Sequence, residues 1–64
     1  MKIEKLYDKI VKVVCVDGQI ITGELSGHTS ALDNEPNGES ITVDTSDGFI
    51  IEIYVDEIAS VEEA

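Results

Sequence analysis

The chain has one histidine, His28, and one cysteine, Cys15, and these are the side chains most often used for proton transfer, nucleophilic attack and metal binding. Nucleophilic catalysis needs a base held against the nucleophile, and the hydroxyls near His28 are those of Ser26, Thr29 and Ser30. A zinc site needs several His or Cys ligands, and the chain has one of each. His28 is therefore interpreted as a solvent-facing side chain at a strand end, and Cys15 as a buried, unreactive thiol.

The segment Asp33-x-Glu35-x-Asn37-Gly38 has the spacing of oxygen ligands in a calcium loop, with Asp44 at the twelfth position. Pro36 interrupts this loop, flanking helices are missing, and the twelfth residue is the short Asp. The same residues suit a turn, because Asx residues, Pro and Asn-Gly favour turns. We therefore predict a loop over residues 31–40, with no metal and no cofactor.

A second candidate site combines an aromatic side chain with carboxylates. Strand alternation places Tyr54 on the face opposite Ile51 and Ile53, with Glu52 and Asp56 beside it in sequence. Packing of Tyr54 at the edge strand or on the N-terminal helix is the favoured interpretation, and the alternative is that Tyr54 anchors a protein partner. The candidate interaction residues are Tyr54, Glu52, Asp56, Asp33, Asn34 and Glu35.

The charge is strongly acidic and uneven. There are fourteen acids, four lysines and no arginine, for a net charge of −10. All four cations lie before Val13, at Lys2, Lys5, Lys9 and Lys12. Phosphate backbones are bound by Lys and Arg, so the composition opposes nucleic-acid binding and favours basic protein surfaces. For the charge taken alone, the favoured interpretation is that excess acid keeps a small protein soluble.

The elements that must position these residues belong to a single domain, since the chain has 64 residues. A domain of this size buries only about 60% of the surface of its unfolded chain. One cysteine fits a reducing compartment, and no signal peptide or apolar run of membrane length is visible. The expectation is a cytoplasmic protein without a membrane segment.

Apolar periodicity predicts a short helix followed by strands. Ile3, Leu6, Tyr7 and Ile10 mark one face of a helix at about Lys2–Asp8, within an N-terminal segment 1–9. Short β-branched runs predict five strands within 10–62, at about Ile10–Val16, Gln19–Gly27, Ser40–Thr45, Phe49–Tyr54 and Glu57–Glu62. Residues 63–64 are predicted to be a frayed tail. The fold class is mainly β, a strongly bent five-stranded small barrel over 1–64.

The register of the first hairpin follows from the alternation of side chains between the two faces of a strand, because the number of loop residues decides which side chains share a face. A two-residue loop at Asp17-Gly18 would place Glu24 on the apolar face, whereas a three-residue loop at 16–18 pairs Val13 with Ile21. We therefore predict the three-residue loop, with Gly18 at positive φ. Gly23 is predicted to mark a bend where another residue packs against the missing side chain.

These residues resemble a known family. Val11-x-Val13-x-Cys15-x-Asp17-Gly18 followed by Ile21-x-Gly23-x-Leu25 is similar to the first signature of the Sm-like (LSm) domain. With the closing Ile58-x-x-Val61, the resemblance spans most of 11–61 and implies an SH3-like barrel of five strands. The loop Asp-Asn-Glu-Pro-x-Gly-Glu-Ser, 33–40, resembles small acidic LSm-type proteins of low-GC Gram-positive bacteria and their mobile elements.

The departures from the family concern its RNA pocket. RNA-binding Sm proteins carry an Asp and an Asn after the second strand; the Asp position matches Thr29, and the Asn falls at or beside Asp33-Asn34. The family's Arg-Gly between the last two strands matches Tyr54-Val55. Without that Arg, the planar donor that would hold a uracil or phosphate is missing.

The leading interpretation is a non-enzymatic module that binds a protein partner through its acidic surface. A sharper form is a nucleic-acid mimic that occupies the basic groove of an enzyme. The alternative is an RNA-binding LSm-type protein acting as an oligomeric ring. No residue constellation supports an enzyme. The expected partner is a protein, not nucleic acid or a membrane, and homo-oligomer assembly is left open.

Overall fold

The computed structural model describes residues 3–33 and 35–64, which form a mainly β fold around a five-stranded antiparallel sheet. The strands are β1 Ile10–Cys15, β2 Ile20–Thr29, β3 Ser40–Asp44, β4 Ile50–Tyr54 and β5 Ile58–Glu63. Two 3-10 turns, Glu4–Leu6 and Val55–Glu57, precede β1 and connect β4 to β5. The strand order in the sheet is β4-β3-β2-β1-β5.

The β1–β2 hairpin has the predicted three-residue loop. Val13 pairs with Ile21 and Val11 with Gly23, which keeps the apolar residues of both strands on one face. Gly18 has φ +92°, and its N–H donates to the carbonyl of Cys15 at 2.9 Å. This left-handed conformation is open to Gly because it lacks a Cβ, and both predictions for the hairpin are confirmed.

Gly23 lies where β2 changes partners, between its pairing with β1 and its pairing with β3. A Cβ at this position would stand 2.8 Å from Val43 Cγ1 and closer still to the carbonyl oxygen of Asp44. Atoms cannot approach that closely, so the residue must be Gly for β3 to lie against the bend. The predicted close packing at Gly23 is confirmed.

The β2–β3 pairing contains a bulge that the sequence did not indicate. Leu25 pairs with Val43, but the next pair is Gly27 with Thr42, so Ser26 is an extra residue on β2. Beyond the bulge, β2 continues to Thr29, two residues past its predicted end. By contrast, β3 and β4 pair in regular register, from Ser40–Tyr54 to Asp44–Ile50.

One hydrophobic core collects side chains from all five strands. The buried members are Ile3, Val11, Val13, Cys15, Leu25, Ile41, Val43 and Ile53. Ile51 of β4 and Val61 of β5 pack against the same cluster, although these strands end the sheet on opposite sides. The sheet must therefore curl around the core.

The predicted N-terminal helix is wrong in extent and type. Within residues 3–9 the chain forms only the 3-10 turn Glu4–Leu6; Lys2 lies outside the described residues. Ile3 is buried and Leu6 packs on the core, whereas Tyr7 is exposed. Asp8 ends the turn with φ +66°. A helix this short has little stability of its own, so pairing of the chain with the sheet decides its conformation.

The last strand reaches further than the predicted end at Glu62 and includes part of the predicted tail 63–64. β5 extends to Glu63, which pairs with Val11, and the N–H of Ala64 donates to the carbonyl of Ile10 at 2.9 Å. The exposed acidic side chains suggested fraying, but backbone hydrogen bonds to β1 depend little on side-chain type.

Within the two described ranges, no helix is long and apolar enough to cross a bilayer.

Candidate interaction surface

The face of β4 turned away from the core brings two predicted interaction residues together. The hydroxyl of Tyr54 donates to Glu52 Oε1 at 3.4 Å, and the hydroxyl of Ser40 donates to Glu52 Oε2 at 2.7 Å. Tyr54 is half-buried, while Ser40 is fully buried. The hydrogen bonds hold the Glu52 carboxylate against the sheet. Asp56 is exposed in the 3-10 turn that follows.

The remaining predicted interaction residues lie in the loop before β3. Asp33 forms a local turn, in which the Ser30 hydroxyl donates to Asp33 Oδ2 at 3.1 Å and accepts from the Asp33 N–H at 3.3 Å. Asp33 and Glu35 are exposed, and Asn34 lies outside the described residues. Of the six predicted residues, the structure therefore shows Tyr54 and Glu52 in contact with each other, and Asp33 in a local turn with Ser30.

The geometry gives no support to the calcium arrangement. Asp44 ends β3, whereas Asp33 and Glu35 precede the start of that strand, and a five-residue strand separates its ends by about 13 Å. Asp44 Oδ1 instead accepts a hydrogen bond from the Ser26 hydroxyl at 2.9 Å. Among the described residues, no group of three or more His, Cys, Asp or Glu side chains is placed to hold a metal ion.

His28 has a partner that the sequence did not indicate. Its Nε2 lies 2.5 Å from Glu39 Oε2, and because an ionised carboxylate only accepts hydrogen bonds, the imidazole nitrogen donates. This hydrogen bond holds the pKa of Glu39 below its ordinary value. The contact joins the end of β2 to the residue before β3, eleven positions later, which no local pattern predicts.

Cys15 is buried at the end of β1, with 8% of its surface exposed. Burial raises the pKa of its thiol, and the nearby carboxylates of Asp17 and Glu57 raise it further because a thiolate beside them would be repelled. A protonated, covered thiol is a poor nucleophile, in agreement with the predicted unreactive role.

One lysine forms a close contact with a carboxylate across neighbouring strands. Lys12 Nζ lies 3.6 Å from Glu62 Oε1 across β1 and β5. Within residues 3–33 and 35–64 this is the single lysine–carboxylate contact closer than 4.0 Å. Such a contact between exposed side chains contributes at most about 1 kcal/mol. The surface charge is therefore largely uncompensated by the described cations.

A row of four side chains crosses the outer face of the sheet. Ile10 pairs with Glu24, Glu24 pairs with Asp44, and Asp44 pairs with Ile50. Paired residues share a face, and the neighbours of each along its strand turn toward the core. We call Ile10, Glu24, Asp44 and Ile50 the outer row. The sequence did not predict the outer row, because the row depends on the register between β2 and β3. A long loop joins these two strands, and unlike a tight turn it does not fix their register.

Comparison of the chain with models of protein families, with curated proteins and with solved structures finds no match. In the described part of the chain there is also no surface pocket that would enclose a small molecule.

Proposed function

We propose that this chain is a small Sm-like barrel that works as a non-enzymatic interaction module and binds a basic protein partner through its acidic surface. The observation that carries the proposal is the acidic excess of the chain: fourteen acids stand against four lysines and no arginine, for a net charge of −10. An acidic field of this kind accelerates encounters with basic surfaces and repels polyanions.

Two of the carboxylates on the sheet are held in position by hydrogen bonds. Glu52 is held by hydrogen bonds from Ser40 and Tyr54, and Asp44 by one from Ser26. A pre-oriented charge loses less entropy on binding than a mobile one. Carboxylates held in this way also suit a protein that mimics nucleic-acid phosphates. Such a mimic would occupy the basic groove of an enzyme.

The topology supports the Sm-like part of the proposal. The strand order β4-β3-β2-β1-β5, with a 3-10 turn leading from β4 directly into β5, suits a small barrel in which the sheet folds onto itself. The turn chemistry at Gly18 and the bend at Gly23 suit the same class.

The test is capture of partners on the immobilised chain from a bacterial lysate, followed by elution with salt and with duplex DNA. We expect basic nucleic-acid-binding proteins that are released by both eluents, because salt screens the charges and DNA competes for the same groove. Capture is expected to fall for the double variant Tyr54→Ala with Glu52→Gln, and to be unchanged for Glu63→Gln. Retention of acidic proteins, or resistance to both eluents, contradicts the proposal.

The alternative function is an oligomeric RNA-binding ring. It is favoured by one observation, that β4 and β5 end the sheet on its two sides and so are the strands available for pairing between copies. Light scattering behind a sizing column and fluorescence anisotropy with U-rich and A-rich RNA test it. A ring that binds RNA at micromolar concentration would replace the protein-binding proposal.

A further inference from the structure

The centre of the outer row places two acids directly opposite each other. Glu24 and Asp44 are cross-strand partners on β2 and β3, so their Cβ atoms are about 5 Å apart. Both are half-buried. In the described part of the chain, no Lys or His nitrogen lies within 4.0 Å of either carboxylate. Like charges in this arrangement reduce the stability of a sheet.

Two features fix this pair of acids in place. The missing side chain of Gly23 lets the carbonyl of Asp44 approach β2, which brings the strands together next to Glu24. The bulged residue Ser26 donates its hydroxyl hydrogen to Asp44 Oδ1 at 2.9 Å. Asp44 therefore has one carboxylate oxygen held by the protein, and a fixed orientation for the other.

Exposed apolar side chains stand at both ends of the same row. Ile50 is 75% exposed and Ile10 is 52% exposed, on strands β4 and β1. Strands lie about 4.8 Å apart, so the two isoleucines are separated by about 14 Å across the sheet. Phe49, next to Ile50, is also exposed. The outer row therefore has acids at its centre and exposed apolar side chains at both ends.

We propose that the outer row is a docking surface for a basic amphipathic segment of a partner protein. A Lys or Arg side chain of that segment lies between Glu24 and Asp44, and its apolar neighbours pack on Ile10 and Ile50. The inference rests on the proposed function; it adds the outer row to Tyr54 and Glu52 as a contact surface and names the chemistry of the partner. Association would relieve the repulsion between the two acids and cover both isoleucines at once.

The charge of the outer row favours a basic segment over two other occupants, a second copy of the chain and a nucleic acid. A second copy docked face to face by twofold symmetry would bring the same two acids against each other, with a net charge of −10 on each chain. A nucleic acid would place phosphates against the carboxylates. A cationic segment with aliphatic stems matches both the charge and the apolar ends of the row.

The experiment selects binding peptides from a random linear library displayed on phage, using the folded chain as bait. We expect enriched peptides that alternate Lys or Arg with apolar residues. Amide resonances of labelled protein should shift most at the outer row when such a peptide is added. Glu24→Gln and Asp44→Asn should each weaken binding about tenfold, since each removes a charge-assisted hydrogen bond. Ile50→Ser should weaken it as well.

Matched controls separate the row from general charge. Glu63→Gln removes an exposed acid from β5, and Val16→Ser removes an exposed apolar side chain from the first hairpin loop; neither should change affinity. Basic peptides that shift Tyr54 and Glu52 in place of the row would leave the proposed function standing and overturn this inference. Failure to enrich basic peptides contradicts both. Shifts of the row caused by self-association or by U-rich RNA overturn the docking of a basic segment.

Discussion

His28 and Glu39 give the chain a contact whose strength depends on pH. Hydrogen bonding from His28 keeps the pKa of Glu39 below its ordinary value, so the folded state favours the ionised carboxylate. The resulting stabilisation is complete above the ordinary glutamate pKa, about 4.3, and is lost as the pH falls through the lower folded value. His28→Ala should therefore reduce the acid sensitivity of the urea midpoint in that window. Glu35→Gln, in the exposed loop, is the control; equal acid sensitivity in wild type and His28→Ala would contradict this role.

The opposed acids of the outer row have a consequence for stability that needs no partner. Glu24→Gln removes the repulsion with Asp44 and keeps a side chain of the same shape. We expect the free energy of unfolding to rise by about 0.5 kcal/mol, within the range measured for cross-strand pairs. Urea unfolding at neutral pH measures it. Glu35→Gln controls for the loss of one negative charge elsewhere, and a destabilised Glu24→Gln protein would show that this carboxylate has a favourable partner.

Sequence reasoning located some of these residues and not others, for physical reasons. Tyr54 and Glu52 share a face because side chains alternate along any strand, so their contact was predictable. The bond between His28 and Glu39 joins segments separated by a loop whose path depends on tertiary packing. The outer row was missed for the same reason, since Glu24 and Asp44 meet only after β2 and β3 have paired.

At the scale of elements, the bend of β2 depends on one glycine. Gly23→Ala would place a methyl group against the carbonyl oxygen of Asp44 and within 2.8 Å of Val43 Cγ1. We expect a loss of about 1–3 kcal/mol of stability, because the neighbouring atoms belong to backbone and packed core and have no space to move. Gly27→Ala is the matched control in the same strand. Its added Cβ would stand 3.4 Å from Thr42, so we expect a small effect.

Thermal and urea unfolding compare the two alanine variants directly. A larger loss for Gly27→Ala than for Gly23→Ala would contradict the tight packing at the bend. Amide shifts of β2 and β3 should also move more in the Gly23 variant, because relief of the clash separates these strands next to Asp44.

The elements themselves were predictable where local rules are strong. The β1–β2 register follows from parity and from the demand for positive φ at Gly18, and both are local to ten residues. The bulge at Ser26 has no such local signal. The length of the N-terminal helix was overestimated because Ile10 was counted on the apolar face of the helix, whereas it belongs to β1. Competition between a short helix and an available sheet edge is settled by tertiary contacts.

For the whole molecule, net charge and stability are coupled. The chain has a net charge of −10, and folding brings the negatively charged side chains closer together, which increases their repulsion. The exposed contact between Lys12 and Glu62 offsets little of it. NaCl should therefore raise the thermal midpoint at neutral pH, because screening weakens repulsion in the compact state more than in the expanded chain. The triple variant Glu35→Gln, Asp47→Asn and Glu63→Gln should have a higher thermal midpoint without added NaCl. Its midpoint should also rise less when NaCl is added. A midpoint that falls with NaCl in the wild type would indicate that attractive pairs dominate.

The pairing of β5 with β1 links the last strand of the described chain to the first. Synthesis delivers β1 before β5, and β1 pairs with β2 through a short turn, but its other edge has no strand until Ile58–Glu63 emerges. During that interval an apolar strand with an open edge is exposed to other nascent chains. The acidic residues that follow β1 along the chain would then act as charge repulsion between unfinished molecules, so the same carboxylates that shape the finished surface also protect its assembly.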